Sequence, residues 1–85
     1  MKLIFCMNCF DLVHLKGFIQ RCQCGESYGQ YTDELQATYG GEKCIPVGIN
    51  NHSFISALKN QPEGGMGKRF EAFVIPKACP TMKKE

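Results

Sequence analysis

Short apolar runs broken by Gly, Asn and Pro follow one another along the chain, a pattern typical of strands joined by tight turns. The predicted strands are Lys2–Phe5, Leu12–Leu15, Phe18–Cys22, Ser27–Thr32, Leu35–Tyr39 and Lys43–Ile49. Leu12–Leu15 and Phe18–Cys22 flank Lys16 and Gly17, which predicts that these two runs form a hairpin. Pro46 marks the last run as an edge strand or a bulge, because proline cannot donate to a sheet ladder.

One helix is predicted in the second half of the chain. Asn51 can cap it by accepting a hydrogen bond from a backbone N–H of the first turn. Asn60 followed by Pro62 ends it. The apolar stripe of this helix, which we expect to pack on the core, consists of Phe54, Ala57 and Leu58 with Ile55 on its flank.

After the helix, Gln61–Lys68 is a glycine-rich loop and Arg69–Ile75 alternates as a strand whose two faces are both partly covered. Lys77–Glu85 is predicted to be a flexible polar tail. The whole pattern predicts a small α+β fold with one domain over residues 1–76. In it, an N-terminal β-hairpin continues into an antiparallel sheet with one short helix.

The length and composition of the chain limit the classes of protein to which it can belong. With 85 residues the core is thin, so a metal site would count for more than any single apolar contact. The net charge of +2 is too small to indicate nucleic-acid binding by itself. Lys2 is followed by only three apolar residues before Cys6, so no signal peptide is predicted. No apolar run approaches the roughly 18 residues of a membrane span, and we therefore expect a cytoplasmic protein. A disulfide scaffold is the alternative use of six cysteines.

Four of these cysteines lie in two close pairs near the amino terminus, Cys6 with Cys9 and Cys22 with Cys24. This is the spacing of a structural zinc site, in which two tight turns face each other across one ion. Four thiolates would carry −4 against the +2 of the ion, and Lys16 and Arg21 lie where they could offset the difference.

With these pairs, the segment from Leu3 to Tyr31 resembles the zinc ribbon family, also described as rubredoxin-like knuckles. The resemblance implies structural Zn²⁺ held by Cys6, Cys9, Cys22 and Cys24. The whole chain is also similar to a group of small, uncharacterised bacterial and phage proteins, through Cys22–Gly25, Gly48–Leu58 and Arg69–Pro76. That similarity implies a prokaryotic cytoplasm.

Two departures from the family pattern affect the ligand set. The second pair is Cys-x-Cys, and Phe10 stands where the family usually has Gly. His14, Cys44 or Cys79 could therefore replace one sulfur. Iron is the alternative metal, and it would make the protein a one-electron carrier.

The remaining residues do not indicate an enzyme. Four thiolates close a zinc site, whereas a catalytic zinc needs an open position. Cys44 and Cys79 are predicted to be small buried apolar residues, with a disulfide or a nucleophile as alternatives. The loop before Arg69 does not match a phosphate-binding loop, because Pro62 occupies the position of the first Gly and no Ser or Thr follows Lys68.

The sequence therefore predicts a non-enzymatic zinc-stabilised binding module that contacts a protein partner. The main alternative is a nucleic-acid-binding module, in which Tyr28, Tyr31 and Tyr39 could form a stacking surface, although ordinary sheet packing is the simpler explanation of these tyrosines. The candidate contact residues for either partner are Lys16, Arg21, Met66, Lys68 and Arg69.

Overall fold

The computed structural model describes all of residues 1–85, which form eight strands and one helix. The strands are β1 Lys2–Cys6, β2 Leu12–His14, β3 Gln20–Arg21, β4 Tyr28–Tyr31, β5 Ala37–Gly40, β6 Cys44–Ile49, β7 Ala72–Val74 and β8 Met82–Lys84. Helix α1 covers Asn51–Lys59. The predicted α+β class with one short helix and an N-terminal strand hairpin is confirmed.

The strands divide into two four-stranded sheets rather than one continuous sheet. The first sheet has the order β2-β1-β6-β7 and is antiparallel throughout. The second has the order β3-β4-β5-β8, and only its β5–β8 pair is parallel. The core lies between the two sheets, because its buried residues come from both of them. They are Ile4, Leu15, Ala37, Tyr39, Cys44, Ile75 and Met82.

The hairpin predicted across Lys16 and Gly17 is wrong. Strand β2 pairs with β1, and β3 pairs with β4, so the two strands that flank Lys16 belong to different sheets. Each cysteine pair lies instead at the turn of its own hairpin, β1–β2 or β3–β4. The cysteine turns are short enough for the strands on either side of them to pair, whereas the segment around Lys16 passes from the first sheet to the second.

Pro46 does not mark an edge, because β6 is a central strand between β1 and β7. The N–H of Ile75 donates to the carbonyl of Pro46 at 3.0 Å. The nitrogen and the carbonyl of a residue in an antiparallel strand face the same neighbour. The nitrogen of Pro46, which carries no hydrogen, therefore also faces Ile75, one residue beyond the end of β7 at Val74. The missing donor falls where the ladder already ends, so the proline is tolerated inside the sheet.

Helix α1 begins one residue earlier than predicted, because Asn50 is its cap and accepts a hydrogen bond from the Ser53 N–H at 3.1 Å. The predicted end at Asn60 is confirmed. The helix spans nine residues, and the fold contains no helix with the length and apolar character that a membrane crossing requires.

The apolar stripe of α1 is buried only in part, which corrects the prediction that it packs on the core. Ala57 is buried, but Leu58 is 61% exposed and Ile55 is 49% exposed. The ring of Phe54 meets that of Phe70 edge to face, with the ring centroids 4.7 Å apart. Ala57 lies outside the seven-residue cluster between the sheets, so the helix does not add to that core.

The predicted strand Arg69–Ile75 shortens to β7, and its faces are not both covered. All three residues of β7 are exposed, and only Ile75 beyond them is buried. The ring of Phe73 lies over Gly48 of the neighbouring strand, where an added Cβ would come within 2.6 Å of the ring. The glycine at this position lets the ring pack directly on the backbone.

The carboxyl-terminal residues differ from the predicted flexible tail. Strand β8 pairs in parallel with β5, with Met82 opposite Ala37. The Met82 side chain is completely buried in the core. The N–H of Ala37 also donates to the carbonyl of Thr81 at 3.0 Å. Residues beyond 76 therefore help to close the space between the sheets.

Replacing Met82 by Ala should lower the free energy of unfolding by about 2–5 kcal/mol, because it leaves a cavity between the sheets. Met66→Ala is the matched control, since Met66 is 82% exposed, and its effect should stay within about 0.5 kcal/mol. Urea denaturation of the metal-loaded protein measures both. Equal stability of the two variants would show that β8 does not contribute to the core.

Candidate metal centre

The turns of the β1–β2 and β3–β4 hairpins bring the four amino-terminal cysteines together. The sulfur atoms of Cys6, Cys9, Cys22 and Cys24 all lie within 4.8 Å of one another. One hairpin belongs to the first sheet and the other to the second, so the cluster joins the two sheets. Four thiols at this separation could hold a metal ion.

Each cysteine turn is closed by a backbone hydrogen bond to the carbonyl of its first cysteine, from four residues later in the first turn and from three residues later in the second. The N–H of Phe10 donates to the Cys6 carbonyl at 2.7 Å, and the N–H of Gly25 donates to the Cys22 carbonyl at 3.0 Å. Both donors have a positive φ, 60° for Phe10 and 83° for Gly25. Phe10 thus occupies a left-handed position that glycine adopts more easily. Its ring stacks on Phe5, with the ring centroids 5.8 Å apart.

Side chains of the first turn hold the second turn in place. A carboxylate oxygen of Asp11 accepts a hydrogen bond from the Gln23 N–H at 2.9 Å. The amide nitrogen of Asn8 donates to the sulfur of Cys24 at 3.4 Å. These two bonds set the distance between the turns through the chain's own polar groups, so the cluster is partly organised before an ion binds.

The spacing of the sulfur atoms fits a tetrahedral ion. Zinc–sulfur bonds of about 2.3 Å place the corners of a tetrahedron about 3.8 Å apart. The sulfur of Cys24 lies 3.7 Å from that of Cys6 and 3.5 Å from that of Cys22. Other tetrahedral ions with similar bond lengths fit the same positions, so the distances indicate a bound metal without identifying it.

The thiols of this cluster do not ionise equally. The Ser27 hydroxyl, followed by the N–H of Cys9, lowers the pKa of Cys6 to about 6. The amide of Asn8 and the N–H of Glu26 lower the pKa of Cys24, but desolvation together with hydrogen bonds to the sulfurs of Cys22 and Cys9 raises that pKa to about 11. Packed thiols resist simultaneous ionisation because like charges repel. A divalent cation supplies the charge that allows all four to act as thiolates.

Ser27 supports the cluster from the core side. Its N–H donates to the sulfur of Cys22 at 3.3 Å, and the residue is completely buried. Its hydroxyl oxygen lies beside the thiols of Cys6 and Cys44 and has no well-formed hydrogen-bond partner. A buried hydroxyl without a partner is costly. A metal-bound thiolate at Cys6 is a strong acceptor and would relieve that cost, so this site fits an ion.

The cluster is only half enclosed. Cys6 and Cys22 are buried, Cys9 is half-buried and Cys24 is exposed. The inner sulfurs therefore connect the ion to the core, while Cys24 leaves one side of the centre at the protein surface. Neither Asp11 nor Ser27 was singled out by the sequence, because their roles appear only when the two turns face each other.

The alternative ligands are not in the cluster. His14 is exposed on β2, and neither Cys44 nor Cys79 belongs to the group of converging sulfurs. Cys44 is buried, as predicted, and burial raises the pKa of its thiol. Cys79 is half-buried, with its sulfur 3.5 Å from the Thr81 hydroxyl oxygen. Both are free thiols, which does not support the alternative of a disulfide between them.

The three tyrosines do not form a common stacking surface. Tyr39 is buried in the core, which contradicts the nucleic-acid interpretation of these residues and agrees with sheet packing. The Tyr31 hydroxyl accepts a hydrogen bond from the N–H of Lys2 at 2.9 Å. The ring of Tyr28 instead carries the Arg21 guanidinium 4.9 Å from its centroid.

The predicted contact residues fall in two regions. Arg21 lies beside the second cysteine turn and donates to the Gly25 carbonyl at 3.1 Å. Lys16 lies in the exposed segment between the two hairpins. Met66, Lys68 and Arg69 are exposed in the loop that joins α1 to β7. The structure leaves all of these except Arg21 without a side-chain hydrogen bond.

Comparisons of the chain with protein-family models, with curated proteins and with solved structures found no match. The function of this protein must therefore be inferred from its own residues, above all from the four clustered cysteines.

Replacing Cys24 by Ala should abolish metal binding and remove the cooperative thermal transition, because the ion loses one of four ligands. Cys79→Ala is the matched control, since it removes a thiol outside the cluster and should retain both properties. Elemental analysis and thermal melting monitored by circular dichroism measure the two effects. A Cys24→Ala protein that keeps its ion and its melting temperature would disprove this ligand set.

Replacing Asn8 by Ala should weaken metal binding by about tenfold, because groups that hydrogen-bond to a ligand typically contribute tenfold or more. Met7→Ala provides the comparison, since Met7 is exposed in the same turn and donates to no sulfur. Competition with a chelator of known affinity gives both constants. Identical constants for the two variants would exclude a role for the bond between Asn8 and Cys24.

Proposed function

We propose that this protein is a zinc-stabilised binding module of the zinc-ribbon type, and that it acts by contacting another protein. The convergence of four cysteine sulfurs at the ends of two hairpins carries the proposal. The spacing of the sulfurs and the unpartnered hydroxyl of Ser27 support a resident ion. Zinc is the ion that most commonly occupies structural sites of four cysteines. Reduced thiols of this kind suit the cytoplasm of a bacterium, where a phage protein would also act.

A structural role follows from the number of ligands. Four thiolates fill a tetrahedral zinc, so neither water nor a substrate has a coordination position. The ion then contributes folding free energy and holds the turns rigid. Its function in this proposal is to present a surface, and the module is not an enzyme.

The surface we assign to the partner includes the two cysteine hairpins, with Lys16 between them and Arg21 on β3, and the loop 64–68. Met66 in this loop is 82% exposed, an unusual environment for a large apolar side chain. Added Cβ atoms at Gly64, Gly65 and Gly67 would meet nothing within 4 Å, so the loop stands clear of the fold. An accessible loop with an apolar tip suits contact with a protein.

Nucleic acid is the competing partner, because Lys68 and Arg69 are adjacent and exposed in the same loop. The net charge of +2 and the burial of Tyr39 weigh against it. A phosphate-binding surface normally gathers more positive charge than this chain has.

Elemental analysis of protein purified under reducing conditions should find one zinc ion per chain, because the four sulfurs form one site. Iron in its place, with visible absorption, would support the electron carrier. No bound transition metal in the fully reduced protein would overturn the proposal.

The same zinc-loaded protein should show no binding to DNA or RNA by fluorescence anisotropy at low salt. Affinity that collapses with added salt, and that weakens in a Lys68→Ala/Arg69→Ala variant, would favour the nucleic-acid module instead. Lys59→Ala/Lys77→Ala, which removes the same charge elsewhere, is the matched control.

A further inference from the structure

A cleft of about 380 Å³ opens beside the core, where strands of both sheets meet. Tyr39 of β5 and Lys84 of β8 line it from the second sheet, and Cys44, Ile45 and Pro46 of β6 line it from the first. Binding sites for small molecules in proteins have volumes of about 300–1,000 Å³, so the cleft is large enough for such a ligand.

The hydroxyl of Tyr39 has no hydrogen-bond partner within the protein. Among the tyrosines, only Tyr31 forms a hydrogen bond with its hydroxyl. Tyr39 is 4% exposed, yet Ser27 has the only fully enclosed side-chain oxygen that lacks a partner. The Tyr39 hydroxyl must therefore reach solvent, and this cleft is the cavity that Tyr39 lines. A polar group in so buried a position is costly without a partner, which points to a bound ligand.

Two ammonium groups lie at the same cleft, those of Lys77 and Lys84. Both are free to bind a ligand, since the one hydrogen bond that a lysine ammonium donates in this fold comes from Lys2. Burial raises the pKa of the Tyr39 hydroxyl, so it keeps its proton at neutral pH and can donate a hydrogen bond. Glu42 is the single carboxylate of the lining, and two lysines against it leave a charge of +1.

We propose that this cleft binds a small ligand through a phosphate group, with Lys77, Lys84 and the Tyr39 hydroxyl as the donors. A phosphate group carries a charge of about −1.5 to −2 at neutral pH and has three oxygens that accept hydrogen bonds. Three donors match it, whereas a carboxylate has only two oxygens. Ile45 and Pro46 form an apolar wall for an organic group attached to the phosphate. The site goes beyond the proposed function and does not depend on it.

Titration of the isotope-labelled, zinc-loaded protein with inorganic phosphate, followed by NMR, tests this proposal. The backbone amide signals of Tyr39 and Lys84 should shift and saturate, with a dissociation constant of about 1 mM. Phenyl phosphate distinguishes the two sources of the group. Tighter binding of phenyl phosphate assigns a small phosphate ester as the ligand, and equal or weaker binding assigns free phosphate.

Tyr39→Phe should weaken phosphate binding roughly tenfold, because a hydrogen bond to a charged group is lost while the ring is kept. Tyr28→Phe is the matched control, since Tyr28 does not line the cleft, and it should bind phosphate like the unchanged protein. Lys77→Ala/Lys84→Ala should abolish saturable binding. Lys59→Ala/Lys68→Ala removes the same charge outside the cleft and should retain it.

The zinc content and the melting temperature of each variant show whether it is folded, and both lysines are exposed in case Tyr39→Phe disturbs the core. No saturable shift at about 20 mM phosphate would overturn the proposal, and so would acetate that binds as tightly as phosphate. Equal affinities of folded Tyr39→Phe and Tyr28→Phe proteins would also overturn it. Weaker binding in the cleft variants alone supports it.

Discussion

The meeting of four cysteine sulfurs is the constraint on which the rest of this structure depends. The two cysteine turns belong to hairpins of different sheets, so a bound ion fastens one sheet to the other. Structural zinc contributes about 10–16 kcal/mol in small peptides, as much as the whole stability of many domains. The hydrogen bonds of Asp11 and Asn8 between the turns reduce the reorganisation that binding requires.

The core and the metal centre depend on each other. Ser27 is buried beside the sulfur of Cys22, to which its N–H donates a hydrogen bond. Cys44 lies opposite Cys6 in the β1–β6 pair. Without a bound ion, the buried hydroxyl of Ser27 has no hydrogen-bond partner beside the buried thiols of Cys6 and Cys22. The apolar core between the sheets and the cysteine cluster are therefore adjacent, and Ser27 and Cys44 connect them.

Local signals in the sequence predicted local features well. The spacing of the cysteines indicated two facing turns, and Asn60 with Pro62 indicated where the helix ends. Strand pairing was harder, because the choice between β2–β3 and β1–β2 depends on contacts between distant segments. Met82 gave no signal at all, since a single apolar residue among Lys and Thr looks like a solvated tail. Phe10 shows the converse, because the sequence gives no sign of its left-handed backbone, with a φ of 60°, which glycine adopts more easily.

The position of β8 has a consequence for how the protein folds as it is made. Domains generally fold as units, and the ribosome makes the chain from its amino terminus, so the last strand is the last part of the unit to become available. Both cysteine turns emerge well before Met82, so the ion can be captured on a nascent chain whose interior is still open. Closure of the core must then wait for β8, which follows all the other strands in the chain and supplies Met82.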